Sequence, residues 1–183
     1  MTEGYNMGVI MKSLISTLII ILIIGIPIVI IWLSYRAGAK IRSRKTDKLV
    51  KEGVIEARPE NFYNYAYLFA VRNADFNTVK SAMNGAVEKL LIKDAVEDPN
   101  KPGTIRLNYQ NKLMEKFNWR AYITFVQTDG DRFVYQFGFS MIRTQNGIVV
   151  DVDGMNKLLT FVERTLYALD PNLAHAKRPI ERH

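Results

Sequence analysis

The chain reads as an α+β protein: one apolar N-terminal transmembrane helix, then a small domain with a mostly antiparallel sheet and two covering helices. Three observations predict this. Residues 13 to 33 are twenty-one positions without a charge, enough at about 1.5 Å per residue to cross roughly 30 Å of hydrocarbon. Three later segments alternate apolar and polar residues with the period of half-buried strands. Two more carry apolar residues at helical spacing behind Asp residues that suit a helix start.

Taken in order, residues 1–12 are a short tail, 13–34 the transmembrane helix, 35–54 a basic juxtamembrane linker, 55–172 the α+β domain and 173–183 a basic C-terminal tail. Gly25 and Pro27 interrupt the span; both are tolerated in membrane helices, although Pro27 frees a carbonyl that a kink or a packing partner must satisfy. No ionisable residue lies inside it, which argues against transport or proton relay by this helix alone. Trp32 and Tyr35 are expected at the interface, where amphipathic rings settle.

In the domain, residues 63–71 (YNYAYLFAV) place Tyr65, Tyr67, Phe69 and Val71 on one face, a strand. Asn73, Ala74 and Asp75 supply a turn and cap before a helix over 76–91, whose stripe is Phe76, Val79, Met83, Val87 and Leu90. Pro99, Pro102 and Gly103 make a loop ahead of a short strand at 104–108. Residues 109–117 fit either a short helix or a loop. From Trp119 a meander is expected: 119–128, an Asp129-Gly130 turn, 132–143, an Asn146-Gly147 turn and 148–152. Asp153 then caps a helix over 154–169, and Asp170-Pro171 ends it. The aromatic stripe from Phe133 to Phe139 is expected to be core, with a ligand pocket as the other use for it. A domain of this size can bury an adequate core by itself.

Charge is uneven along the chain. There are 25 Lys+Arg and 18 Asp+Glu, with two His and no Cys. Arg36, Lys40, Arg42, Arg44, Lys45, Lys48 and Lys51 crowd the stretch after the span, opposed by Asp47 alone, whereas the N-terminal tail has only Lys12. Lys and Arg bias flanking segments to the cytoplasm, so the expected orientation is N-terminus out and domain in. The opposite orientation, or signal cleavage at Ala37-Gly38-Ala39, is the competing reading. Cleavage fits less well, because a signal core is shorter and has its basic cluster in front. The same seven residues are candidate contacts to anionic lipid headgroups. Residues 52–172 carry 14 basic and 15 acidic side chains, so nucleic acid is not the expected partner.

The absence of Cys removes disulfides and thiolate chemistry, and both histidines, His175 and His183, fall in the tail. Ser-His and Cys-His dyads and His-rich zinc sites inside the domain are thereby excluded. The sharpest motif is residues 148–154, IVVDVDG. An apolar strand ending in Asp-x-Asp-Gly resembles the nucleophile strand of haloacid-dehalogenase-like phosphatases, and the resemblance would make Asp151 the nucleophile and Asp153 the proton donor. In that family the motif opens a doubly wound domain, but only thirty-two residues follow Asp151, too few for the remaining strands and metal ligands. Asp153 as helix cap and Asp151 as a solvated strand end is the preferred reading. Glu97/Asp98 and Asp129/Asp131 are turn residues, and no phosphate loop, EF-hand loop or nucleophile elbow is present.

The expectation is a non-enzymatic, cofactor-free interaction or assembly module at the cytoplasmic face of the cell membrane. Its partners would be the anionic bilayer and a protein partner or a second copy. A membrane-tethered small-ligand sensor, or with inverted topology an exported part of a secretion or conjugation apparatus, are the alternatives.

Overall fold

The charge-free run lies inside one long helix, α1 (Glu3–Lys51), in a computed structural model of the protein that describes residues 3–85, 92–109, 119–145 and 147–180. Within α1, Met11–Ser34 is long and apolar enough to cross a membrane, its most apolar eighteen residues having a mean hydropathy of 3.2. Pro27 sits inside the helix without ending it. The helix also continues through 35–51, where a linker is expected. That stretch holds seven Arg and Lys and two Ala, which favour helix, and Gly38 is its poorest helix former.

Residues Glu52–His183 form a separate unit. A 3₁₀ turn at Phe62–Asn64 leads into β1 (Tyr65–Arg72), followed by α2 (Phe76–Gly85), β2 (Ile92–Glu97), β3 (Thr104–Tyr109), β4 (Arg120–Asp129), β5 (Arg132–Ser140), β6 (Thr144–Gln145), β7 (Ile148–Val149), α3 (Val152–Leu169) and β8 (Ala174–Pro179). The six-stranded sheet has the order β2-β3-β4-β5-β1-β8, and every neighbouring pair is antiparallel. The unit is α+β. The last six positions expected in the second helix, residues 110–117 of the ambiguous stretch, and Asn146 lie outside the described residues.

The hydrophobic pattern decides which face the helices cover. Tyr67, Phe69 and Val71 of β1 stand opposite Phe137, Tyr135 and Phe133 of β5, and Ile123 and Ala121 of β4 continue the row to Ile105 and Leu107 of β3. Against them pack Val79 and Met83 of α2 and Met155, Leu158, Leu159, Val162 and Leu166 of α3, all buried. The aromatic stripe is therefore interior: Phe137 and Phe139 meet edge to face at 5.0 Å between ring centres, and Trp119 meets Phe139 at 5.6 Å.

Four further expectations are corrected. The third meander strand does not join the sheet: Met141 takes a left-handed backbone, φ 49°, which stops β5 at Ser140 and turns the chain into the two-residue β6–β7 ladder. Residues 92–97 form a strand that IKDAVE does not announce. The tail is not a tail, because residues 174–179 add strand β8 beside β1. Both unannounced strands lie at sheet edges, held mainly by main-chain pairing, so they carry no apolar alternation. Finally, Asp151 and not Asp153 caps α3, and Asp153 lies in its first turn.

Candidate functional site

The seven basic positions Arg36, Lys40, Arg42, Arg44, Lys45, Lys48 and Lys51 fall on the last part of α1. Helical backbone orders them: positions 36, 40, 44 and 48 follow one another at four-residue spacing along one side. Lys45, Lys48 and Lys51 are exposed; the side chains of Arg36, Lys40, Arg42 and Arg44 lie outside the described residues.

The IVVDVDG segment lies outside the six-stranded sheet, in strand β7 and the start of α3. Asp151 has φ 60° and ψ 45°, and its carboxylate accepts the Gly154 amide at 3.2 Å. Burial raises its carboxyl above the ordinary value, while hydrogen bonds from the Gly154 amide and the Trp119 side chain act the other way. The preceding strand is two residues long and pairs only with β6. Among the described residues no central parallel strand delivers the motif to a strand-end crevice, the placement the phosphatase family uses.

A cleft of about 260 Å³ opens where α3 meets β8, lined by Glu56, Phe69, Glu163, Arg164, Tyr167 and His175. Its charged groups are already paired. Arg58 bonds Glu163 and donates from Nε to Asn156 Oδ1 at 2.8 Å. Asn156 donates to the Glu56 carbonyl at 2.9 Å, and the Glu56 amide donates to Thr160 Oγ1 at 3.2 Å. Arg164 donates to the Gly53 carbonyl at 2.8 Å and meets Glu56 at 3.3 Å. Asn156, Thr160 and Glu163 thus form a polar stripe on α3 that straps residues 53–58 onto the helix. The Arg58 guanidinium also lies 6.0 Å from the centre of the Tyr67 ring; burial raises the Tyr67 phenol and this cation opposes the rise. At the other wall, Tyr167 Oη and His175 Nδ1 are 3.2 Å apart. His175 is therefore part of the folded sheet, contrary to the sequence-based placement. Among the described residues no group of three or more Asp, Glu, His or Cys side chains could hold a metal ion.

Among the described residues of the domain, the opposite face of the sheet has no helix over it, and it is where the strand register places charge. Directly opposed residues share a face. Arg72 stands opposite Arg132, Arg106 opposite Tyr122, Arg120 opposite Ser140 and Arg178 opposite Ala66. Tyr122 in turn faces Gly138, and Thr124 faces both Thr104 and Gln136. All five arginines of the strands therefore lie on the uncovered face, with Asp94 and Asp129 as its strand acids. Arg72 meets Asp131 at 3.3 Å, and with Arg132 it sits at the acidic end beside Asp129. Arg106, Arg120 and Arg178 occupy the other end. Among the described residues neither Arg106 nor Arg120 pairs with a carboxylate, and the buried Nε of Arg106 has no hydrogen-bond partner. The segment's near-zero net charge conceals this, because a count along the chain ignores the side to which each strand residue points. A period-of-two reading applied to arginines, as it is to apolar residues, is the signal that finds it.

No protein-family model matches the chain, and no curated protein or solved structure is significantly similar to it.

Proposed function

We propose that the protein is a single-pass, membrane-anchored interaction or assembly module whose domain works at the cytoplasmic face of the cell membrane. The observation that carries this reading is the uncovered sheet face, the broad surface that the two helices leave open. The sheet edges are poor alternatives. On β8, Ile180 donates to the Asn64 carbonyl at 2.8 Å, so alternation turns residues 175, 177 and 179 outward. Pro179 offers no donor there and Lys177 adds a charge, both features that discourage strand addition. On β2, the Asn84 side chain receives the Ala95 amide at 2.9 Å and donates to its carbonyl at 2.8 Å, closing that edge.

Orientation rests on the seven basic residues after the span against Lys12 before it. The domain is read as non-enzymatic because its cleft spends its charged groups on the strap to residues 53–58. A second reading, a small-ligand sensor, is supported by that same cleft, since Phe69 forms an apolar floor beside His175 and Tyr167.

The test has two parts. A reporter active only in the cytoplasm, fused after residue 183, is expected to be active, and an active export-only reporter overturns the orientation. Photo-crosslinking side chains placed at Leu68 or Gln136 in native membranes are expected to give adducts that the same group at Asn77, on α2, does not. Adducts at Asn77 alone overturn the working face.

A further inference from the structure

We infer that the uncovered sheet face docks on an anionic phospholipid surface through Arg106, Arg120 and Arg178, an inference that rests on the reading of that face as the working surface. Three observations carry it. The first is residue type: among the described side chains, every cation that the strands present on this face is arginine, whose planar fork of donors matches phosphate and carboxylate oxygens two at a time. Lys177, by contrast, stands opposite Tyr67 on the helix-covered side.

The second is charge balance. Arg72 and Arg132 share their end of the face with Asp129 and Asp131, whereas the end bearing Arg106, Arg120 and Arg178 has Asp94, which is bonded to Asn108. Lys101 adds a further cation there, with Nζ 5.8 Å from the centre of the Tyr122 ring. The floor between these side chains is low. Gly138 and Ala66 lie in one row across the sheet, and Tyr122 lies over Gly138 so closely that a β-carbon there would meet its Oη at 3.1 Å. Donors around a low floor suit a surface of many headgroups better than one enclosed small molecule.

The third is proximity. The same chain carries a helix fit to cross a membrane, so a bilayer is the polyanion held at high effective concentration, and weak headgroup contacts suffice. Single-stranded nucleic acid is less well served, because it wants exposed aromatic platforms and among the described side chains the face offers one Tyr, already packed on Gly138.

The absence of Cys makes the test direct. The full chain, labelled with a fluorophore at Ser140→Cys on this face or at Asn77→Cys on α2, is placed in nanodiscs of phosphatidylcholine with or without about 30% phosphatidylserine, each containing a headgroup quencher. Phosphatidylserine is expected to raise quenching at position 140 about twofold or more over position 77, and raising salt from about 0.05 to 0.5 M to abolish the gain. Arg120→Glu with Arg178→Glu should abolish it too, with an unchanged circular dichroism spectrum. No dependence on phosphatidylserine, an equal gain at both labels, or a gain that survives the double substitution overturns the inference. So does a response of the position-140 label to single-stranded RNA or polyglutamate in place of phosphatidylserine. Because nanodiscs report docking regardless of cellular orientation, a failure here is distinct from a failed topology reporter or a failed open-face crosslink.

Discussion

The Asp151 carboxylate accepts the Gly154 amide at 3.2 Å from a left-handed backbone, and it lies so close over Gly154 that a β-carbon there would collide with it. Asp151 and Gly154 of the Asp-x-Asp-Gly motif therefore form a helix cap.

Asp151→Asn keeps the capping oxygen and tolerates φ > 0, whereas Asp151→Ala loses both and should cost about 0.5 to 2 kcal/mol. Because the folded-state carboxyl is raised, mainly by burial, its contribution to stability is present below the ordinary carboxylate range and fades as pH rises through the raised value. Asp151→Asn removes that loss. Chemical denaturation between about pH 4 and 7 should find the Asn variant gaining on the wild type as pH rises. A nucleophile predicts something else: Mg²⁺-dependent turnover of a phosphate ester that Asp151→Asn abolishes, and we expect no turnover in the wild type.

Met141 holds φ 49° with its side chain exposed. A left-handed backbone costs a residue with a β-carbon about 1 kcal/mol or more, and glycine escapes most of that cost. Met141→Gly should raise the unfolding free energy by up to about 1 kcal/mol, measured by urea titration. A loss of stability would mean that the side chain packs usefully despite its exposure.

Phe137 is fully buried between the flanking aromatics and α3. Phe137→Ala should cost about 3 to 5 kcal/mol. A cost below about 1 kcal/mol would point to a ring lining open space.

Strand β8 pairs with β1 from Ala174 to Pro179 and places His175 opposite Phe69. A fragment of residues 52–180 is expected to unfold cooperatively and remain monomeric. One ending at 172 bares the β1 edge with Leu68 and Ala70, and it should aggregate or melt over a broad range. Light scattering with thermal melts separates the two outcomes; equal behaviour would mean that the strand adds nothing to the domain.

Much of the architecture was legible in the residues. Twenty-one uncharged positions mark a helix fit to cross a membrane, the alternation around Tyr67 and Phe137 marks central strands, and the spacing of Met155 to Leu166 marks the helix that covers them. These elements bury one face each, so burial writes its period into the sequence. What escaped is governed by other forces. Strands β2 and β8 sit at edges, where main-chain pairing does the holding and side chains need no pattern. The cap is Asp151 and not Asp153 because a left-handed backbone aims the Asp151 carboxylate at the Gly154 amide, and the Trp119 side chain, thirty-two positions earlier, also hydrogen-bonds it. The arginine face depends on strand register: the residues lie far apart in the chain, and only hydrogen-bonded pairing of β1, β3, β4, β5 and β8 turns all five to one side. Local periodicity thus determined the elements, while long-range pairing decided which charges they share.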